Sequence, residues 1–345
     1  MSTADVAIDR AEAGERARRL TEIVFRMREL GIVLALLLLV AVTAILEPRF
    51  IELDSIKDLA RNASIIMVIA AGMTMVILTR NIDLSVGSVL GLAAFFCGDL
   101  LSNHGTPIVV AILLCVVLGA LCGVINGVLT TFGRVPALVV TLGTMYVFRG
   151  IAFVYTDGRQ INAETLPDSF LNIGTGTILG IPTIFLIAVA IVVVVGLYLS
   201  NYRSGRELYA IGSNEAAAKL AGIRVDRRVV GAFVASGALA GLGGALYCAR
   251  FGTVDATAGT GYELTVISAA VVGGVAINGG VGSVYGAAIG AVLLGCITSS
   301  LIVLRIDSFW QQAAVGALLI AAIAFDRLVG LRLDAALRQR SARRA

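Results

Sequence analysis

Two short acidic segments contain side chains that could bind a solute. Asp83 is followed by Ser85 and Ser88, and Glu263 is followed by Thr265. Carboxylate and hydroxyl oxygens form the hydrogen bonds that a hydroxylated solute requires, and charged groups within apolar segments are functional candidates. The alternative is structural. Each acid could lie at the start of a helix, where it caps free backbone amides and interacts favourably with the helix dipole.

Neutral polar residues on two further apolar runs extend this set. Asn126, Thr141 and Thr144 could join neighbouring helices by hydrogen bonds, or they could line the same solute path. The candidate path residues are therefore Asp83, Ser85, Ser88, Asn126, Thr141, Thr144, Glu263 and Thr265.

The residues needed for catalysis or metal binding do not occur in a recognisable arrangement. The only histidine is His104, and no Cys-x-x-Cys spacing or nucleophile-and-base motif occurs. A phosphate-binding loop requires a Gly-Lys pair, but Lys57 follows Ile56 and Lys219 follows Ala218. We expect no metal, no cofactor bound by this chain and no enzymatic activity.

The composition predicts a protein that spans the membrane many times. The chain has 345 residues, of which 58% are hydrophobic and only 14% are charged, whereas about 25% is usual in soluble proteins. Ten apolar runs approach the length of a membrane span, so an all-α polytopic fold with about ten transmembrane helices is expected. The runs are 30–46, 63–79, 86–102, 108–131, 135–155, 179–200, 229–249, 263–277, 284–304 and 310–325.

Basic residues predict the orientation of these spans. With ten spans and a cytoplasmic N-terminus, 20 of the 27 Lys and Arg residues fall on the cytoplasmic side, as the positive-inside rule requires. This divides the chain into a cytoplasmic N-terminal segment (1–29), a transmembrane domain (30–328) and a basic cytoplasmic tail (329–345).

A weak internal repeat relates the two halves of the chain. Residues 82–88 and 262–268 share an acid, Leu, a hydroxyl residue, Val and Ser at matching positions, and the surroundings of Arg134 resemble those of Arg305. The repeat pairs spans 2–5 with spans 7–10 in opposite directions, which is the inverted plan of many transporters. Short runs followed by glycines, such as 263–277, predict broken helices near a translocation path.

The loop 201–228 is the most distinctive segment between spans. Asn214 can cap a helix that starts at Glu215, Ala216 and Ala217 favour its propagation, and Gly222 can end it. The result would be a helix of about seven residues. It could receive force from a partner protein, or it could simply connect two spans.

Several ordered motifs resemble the ribose-type sugar permeases of bacterial ABC importers. The resemblance covers about residues 50–328 and includes the segment Asn81-Ile82-Asp83-Leu84-Ser85-Val86-Gly87-Ser88. Further matching segments are 136–144 with Arg149-Gly150, 210–217, and 221–223 in the coupling loop. Residues 79–81 and 259–261 are most similar to those of rhamnose and autoinducer-2 permeases.

The resemblance implies a permease subunit of the bacterial inner membrane that imports a monosaccharide or a related small polyhydroxy solute. A second permease subunit, identical or different, would complete the pore, and an extracytoplasmic sugar-binding protein would deliver the solute. A cytoplasmic ABC ATPase would use ATP and contact the coupling loop 201–228. Membrane lipid surrounds such a protein, and no nucleic acid is expected. The implied coupling residues are Asn214, Glu215, Ala216, Ala217 and Gly222.

Two alternatives belong to other functional classes. A stand-alone secondary transporter would share the inverted repeat and would use Asp83 or Glu263 for a proton or Na⁺. The loop 201–228 and the scarcity of acids within the spans argue against it. A membrane enzyme or scaffold is disfavoured by the absence of a catalytic motif.

Overall fold

The structure is a computed structural model that describes residues 36–307 without a gap, residues 33–34, and scattered positions between 310 and 324. The predicted segments 1–29 and 329–345 lie outside the described residues, as does half of the tenth apolar run. The statements below concern the described part of the chain.

Helices dominate the described residues, as the composition predicts. Each of the first nine apolar runs contains one helix, and six of the helices are long and apolar enough to cross a membrane, namely α2, α4, α5, α7, α10 and α12. The helices are α1 (Leu36–Leu46), α2 (Leu53–Leu78), α3 (Val86–Ser102), α4 (Ile108–Thr131), α5 (Ala137–Thr156), α6 (Asp168–Thr175), α7 (Thr183–Asn201), α8 (Arg203–Ser213), α9 (Glu215–Leu220), α10 (Val225–Phe251), α11 (Tyr262–Val272) and α12 (Val284–Val303).

Small elements between α5 and α7 were not predicted from the apolar pattern. The amphipathic helix α6 precedes a short antiparallel hairpin of β1 (Thr177–Ile178) and β2 (Ile181–Pro182). Leu179 and Gly180 have positive φ angles in its two-residue turn, as tight hairpins require. Single 3₁₀ turns occur at Pro48–Ile51 and Ala163–Thr165.

Helix α2 forms the centre of the bundle. In its most apolar stretch 83% of the residues are buried, against 61% in α10 and about a third or less in α4, α5 and α7. Because α4, α5 and α7 are apolar on their exposed faces as well, those faces suit lipid or another membrane subunit rather than water.

Helices α4 and α10 approach so closely that only glycine fits at their crossing. A methyl group on Gly119 would overlap the carbonyl oxygen of Gly237, and one on Gly237 would overlap the carbonyl oxygen of Gly119. Small residues at such crossings let backbones approach and gain van der Waals contact, which is the main packing force between helices in lipid.

The packing agrees with the inverted repeat. Helix α2 packs against α11 and α12 of the second half, while α10 packs against α3 and α4 of the first half. The second sequence echo is also structural. Arg134 follows α4 with φ +53°, and Arg305 follows α12 with φ +56°. Both arginines therefore adopt the left-handed conformation just beyond the ends of matching helices.

Candidate functional site

Helix α11 is too short to cross a membrane. Its 11 residues span about 16 Å at 1.5 Å per residue, whereas the hydrocarbon core is about 30 Å thick. The predicted run 263–277 is therefore wrong at its end. The helix stops at Val272, where Gly273 begins a glycine-rich, non-helical segment that lasts to Ser283. Non-helical backbone at this depth is tolerated where protein buries it or where it lines a cavity.

The first residues of α3 and α11 meet. A side chain on Gly87, in the first turn of α3, would overlap the carboxylate of Glu263 and the carbonyl oxygen of Gly259. A methyl group on Gly259 would in turn overlap the carbonyl oxygen of Gly87. The N-terminal ends of two short helices, one from each half of the repeat, are thus in direct contact. This is the arrangement by which broken helices form transporter sites.

Asp83 lies in a fully buried hydrogen-bond network beside this contact. Its Oδ1 accepts hydrogen bonds from the backbone N of Ser85 at 2.9 Å and from the Ser85 hydroxyl at 2.7 Å. The amide Nδ2 of Asn126 donates to the Ser85 hydroxyl at 2.8 Å and lies 3.4 Å from Asp83 Oδ1. Asp83 therefore stabilises the turn before α3, which supports the structural alternative for this residue.

The network continues onto α4 and α5. The Thr144 hydroxyl donates to Asn126 Oδ1 at 2.7 Å, and the Thr141 hydroxyl donates to the carbonyl oxygen of Ile82 at 3.1 Å. Five of the predicted path residues, Asp83, Ser85, Asn126, Thr141 and Thr144, therefore come together and are buried. They connect the 81–85 segment to two spanning helices.

The matching acid of the second half has different surroundings. Glu263 is half-buried, and its Oε1 accepts a hydrogen bond from the backbone N of Gly261 at 3.2 Å. The Thr265 hydroxyl donates to the carbonyl oxygen of Gly261 at 3.1 Å. Within the described residues, Glu263 and Thr265 form no hydrogen bond with the Asp83 network. Glu263 is thus the more accessible of the two acids.

Ser88 and its repeat counterpart Ser268 share an unusual feature. Both side chains are fully buried, and neither hydroxyl has a hydrogen-bond partner among the described residues. Each lies within the first two turns of its short helix. Buried hydroxyls without partners are uncommon, and among the described residues the hydroxyls of Thr130 and Ser236 are further examples. Ser88 and Ser268 differ from these in occupying matching positions of the repeat.

Arg149 of α5 fixes the segment that precedes α11. Its Nη1 donates to the carbonyl oxygens of Ala256 at 3.1 Å and Ala258 at 2.5 Å. Asp157, the acid nearest to Arg149 along the end of α5, follows that helix in the left-handed conformation. The carboxylates that act on Arg149 electrostatically are Glu263 and Asp255. Sequence spacing could not identify backbone carbonyls more than 100 residues away.

The short helix in the loop 201–228 forms as its residues predict. Asn214 Oδ1 accepts a hydrogen bond from the backbone N of Ala217 at 3.0 Å, which caps α9. Glu215 and Lys219 form an i,i+4 ion pair at 2.6 Å. Gly222 follows the helix with φ +79°. The helix has six residues rather than about seven, and Leu220 at its end is 91% exposed.

Arg80 connects this helix to the candidate path and was not predicted. The residue follows α2 with φ +64°. Its guanidinium donates to the carbonyl oxygens of Gly212, through Nε, and Ser213, through Nη2 at 2.9 Å. These are the last residues of α8, immediately before the cap of α9. The backbone N of Gly280 also donates to the carbonyl oxygen of Leu78 at 2.9 Å. Three segments distant in sequence therefore meet at the end of α2.

Comparison with known proteins identifies the family. Residues 55–323 match the family described as branched-chain amino acid transport system, permease component. The chain belongs to this permease family. The permease is 40% identical over 301 residues to a ribose import permease protein of Haemophilus influenzae. The aligned region covers 87% of this chain and 93% of that protein.

Two further relatives have comparable coverage. A ribose import permease protein of Bacillus subtilis is 39% identical over 87% of this chain and 93% of its own length. An autoinducer 2 import system permease protein of Escherichia coli is 35% identical over 90% of both chains. No solved structure matches the permease. These relatives confirm the resemblance to ribose-type permeases. The protein is a multi-pass membrane permease, and its relatives are transport proteins rather than enzymes.

Proposed function

We propose that this permease is the transmembrane subunit of a bacterial ABC importer for a monosaccharide or a related small polyhydroxy solute. The observation that carries the proposal is the contact between Arg80 and the end of α8. It joins the capped helix α9, which can receive force from an ATPase, to the 81–85 segment, which carries Asp83. A separate cytoplasmic ATPase supplies the energy, so this chain needs no nucleotide site.

The solute class follows from the polar groups and from the relatives. The hydroxyls of Ser88 and Ser268 and the carboxylate of Glu263 suit a solute with several hydroxyl groups. The relatives named above import ribose and autoinducer 2. The family description names branched-chain amino acids, but ribose and autoinducer-2 permeases align along almost the whole chain. Rhamnose remains a candidate through residues 79–81 and 259–261.

The proposed assembly contains four kinds of partner. A second permease subunit completes the pore, and the exposed apolar face of α5, with Gly143 and Gly150 in open space, can accept a helix of that subunit. An extracytoplasmic binding protein delivers the solute, two ATPase subunits contact the loops 201–228, and membrane lipid covers the remaining apolar faces. Both chain termini lie in the cytoplasm, and the protein resides in the inner membrane.

The mechanism is alternating access driven through protein contacts. ATP binding would bring the partner ATPases together and move the two α9 helices. Each α9 helix would pull the end of α8, and Arg80 would transmit this movement to the turn before α3. The starts of α3 and α11 would then separate on one side of the membrane and close on the other. In the open state the hydroxyls of Ser88 and Ser268 would gain partners from solute or water.

A stand-alone secondary transporter is the weaker candidate. Such a transporter needs a carboxylate that exchanges its ligands for a proton or Na⁺. Asp83 is instead occupied by hydrogen bonds from Ser85 and Asn126. Of these two acids, Glu263 keeps free acceptor capacity, so an ion-coupled mechanism would depend on it rather than on Asp83.

Co-purification tests the coupling to an ATPase. The tagged permease is isolated from its native host in mild detergent, and its partners are identified by mass spectrometry. We expect an ABC ATPase in the wild-type sample and its loss from the variant Glu215→Ala/Gly222→Val, because Val is strained at φ +79°. Gly231→Ala, at an open position of α10, is the matched control and should retain the ATPase. Unchanged recovery from the double variant would refute the role of α9.

A further inference from the structure

A strongly basic cleft opens where α7 ends and α10 begins. Its volume is about 400 Å³. Because it lies at the ends of two membrane-spanning helices, it is at the level of the lipid headgroups. Four guanidinium groups face a single carboxylate there. The lining residues are Arg203, Glu207, Gly222, Arg224, Arg227 and Arg228.

Only two of the four arginines form an ion pair among the described residues, and both pair with the same carboxylate. Glu207 accepts hydrogen bonds from Arg203 Nε at 2.9 Å and from Arg228 Nε at 2.5 Å. Burial raises the pKa of Glu207, but these two hydrogen bonds outweigh it and hold the pKa below its ordinary value, so the carboxylate is ionised at neutral pH. Arg224 and Arg227 are exposed, and neither forms an ion pair within the part of the chain that the structure describes.

The remaining acid of this region does not compensate for them. Asp226 lies between Arg224 and Arg227 in the sequence, but it is exposed and does not line the cleft. It acts electrostatically on Lys219 of α9. With four arginines and one carboxylate, the cleft therefore retains an excess of three positive charges, which suits an anionic group with several oxygen atoms.

An apolar groove continues directly from the cleft. This second cavity has a volume of about 450 Å³ and shares Arg227 and Arg228 with the first. It runs between α2, α7 and α10, where Met75, Val194 and Ala235 are among its lining residues. Gly231 also lines it, and a methyl group added there would meet no atom within 4 Å. A charged cleft thus opens into an apolar groove between spanning helices.

We propose that the cleft and the groove together bind one anionic phospholipid. Arg224 and Arg227 hold the phosphate and the headgroup, and an acyl chain lies in the groove along α10. Basic pockets beside transmembrane helices recognise anionic headgroups in this manner. An acidic segment of a soluble protein would fit the cleft but would not occupy a groove between membrane-spanning helices. The proposal does not depend on the identity of the transported solute.

Binding to lipids of equal chain length but different charge tests the proposal. Delipidated permease in detergent is titrated with phosphatidylglycerol and with phosphatidylcholine, and the bound lipid is counted by native mass spectrometry. We expect phosphatidylglycerol to bind about tenfold more tightly, and the double variant Arg224→Gln/Arg227→Gln to lose this preference. These arginines pair with no acid in the described structure, so the variant should fold. Its elution as a single species in size-exclusion chromatography checks this.

Two control variants separate the lipid from other ligands. Arg206→Gln removes a charge from α8 outside the cleft and should leave the preference unchanged. Gly231→Leu fills the groove and should weaken phosphatidylglycerol binding several-fold, while leaving the binding of inorganic phosphate unchanged.

Three results would overturn the proposal. The first is equal affinity for the two lipids. The second is a Gly231→Leu variant that binds phosphatidylglycerol normally, which would reduce the site to one for phosphate. The third is an Arg224→Gln/Arg227→Gln variant that keeps its lipid preference but no longer co-purifies with the ATPase. That result would make the cleft a protein docking site.

Discussion

Asn126 is the residue on which the buried network depends most. Its amide donates to Ser85 and its carbonyl accepts from Thr144, so one side chain joins the turn before α3 to both α4 and α5. Each of these groups is removed from solvent. Breaking such a network leaves several polar groups unsatisfied at once.

Replacing Asn126 with Ala should therefore lower both stability and transport. We expect a cost of about 1–3 kcal/mol, observed as a melting temperature several degrees lower in detergent, together with reduced solute uptake. Thr131→Val on the same helix is the control, because among the described residues the Thr131 hydroxyl bonds only to the carbonyl oxygen of Gly127 in its own helix. Equal melting temperatures for the two variants would contradict a structural role for the network.

The sequence identifies the polar residues of the site but not all of their partners. Asp83, Ser85, Asn126 and Thr144 are visible because polar side chains are rare in apolar runs. The partners of Arg80 and Arg149 are backbone carbonyls of distant segments, and a carbonyl has no sequence signature. The opposite surroundings of Asp83 and Glu263 were also not predictable, because the repeat gives both the same local pattern.

At the level of elements, apolar runs locate the spanning helices well. The runs 86–102 and 108–131 coincide with α3 and α4, because hydrophobic length alone determines such spans. Helix α8 and the β1–β2 hairpin were missed, since short polar elements depend on tertiary contacts more than on periodicity. The early end of α11 follows from the glycines after Val272, which a hydropathy average does not register.

Arg80 should transmit movement between α8 and the 81–85 segment. Arg80→Ala removes the hydrogen bonds to Gly212 and Ser213, so we expect the ATPase to co-purify normally while ATP-dependent uptake falls at least tenfold. Arg134→Ala is the matched control, since Arg134 also follows a helix in the left-handed conformation but makes no hydrogen bond or ion pair to another described residue. Normal uptake by Arg80→Ala would rule out this connection.

The crossing of α4 and α10 gives a prediction about packing. Gly237→Ala places a methyl group against the carbonyl oxygen of Gly119, so the helices must separate at a cost of about 1–3 kcal/mol. Gly231→Ala on the same helix adds its methyl group in open space and should leave the melting temperature in detergent unchanged or slightly higher. If both variants melt at the same temperature, the close approach of these helices does not limit stability.

Across the described residues, the two inverted halves bring the starts of their short helices α3 and α11 together, and α2 packs against α11 and α12. The repeat explains why the starts of α3 and α11 face each other, and the loop 201–228 breaks the symmetry by adding α8 and α9 on one side only. In the proposed mechanism, a movement of α8 would act on both halves, because Arg80 and Gly280 connect α8 and the α11–α12 segment to the end of α2.

Solute uptake into proteoliposomes that contain the permease and its ATPase tests the central claim most directly. Radiolabelled ribose and the solute-binding protein are supplied outside, with ATP inside, and ion gradients are collapsed with ionophores. The account predicts uptake that requires internal ATP and the binding protein and is insensitive to ionophores. Uptake by the permease alone, without ATP and driven by a proton or Na⁺ gradient, would contradict it and would place Glu263 at the centre of an ion-coupled mechanism.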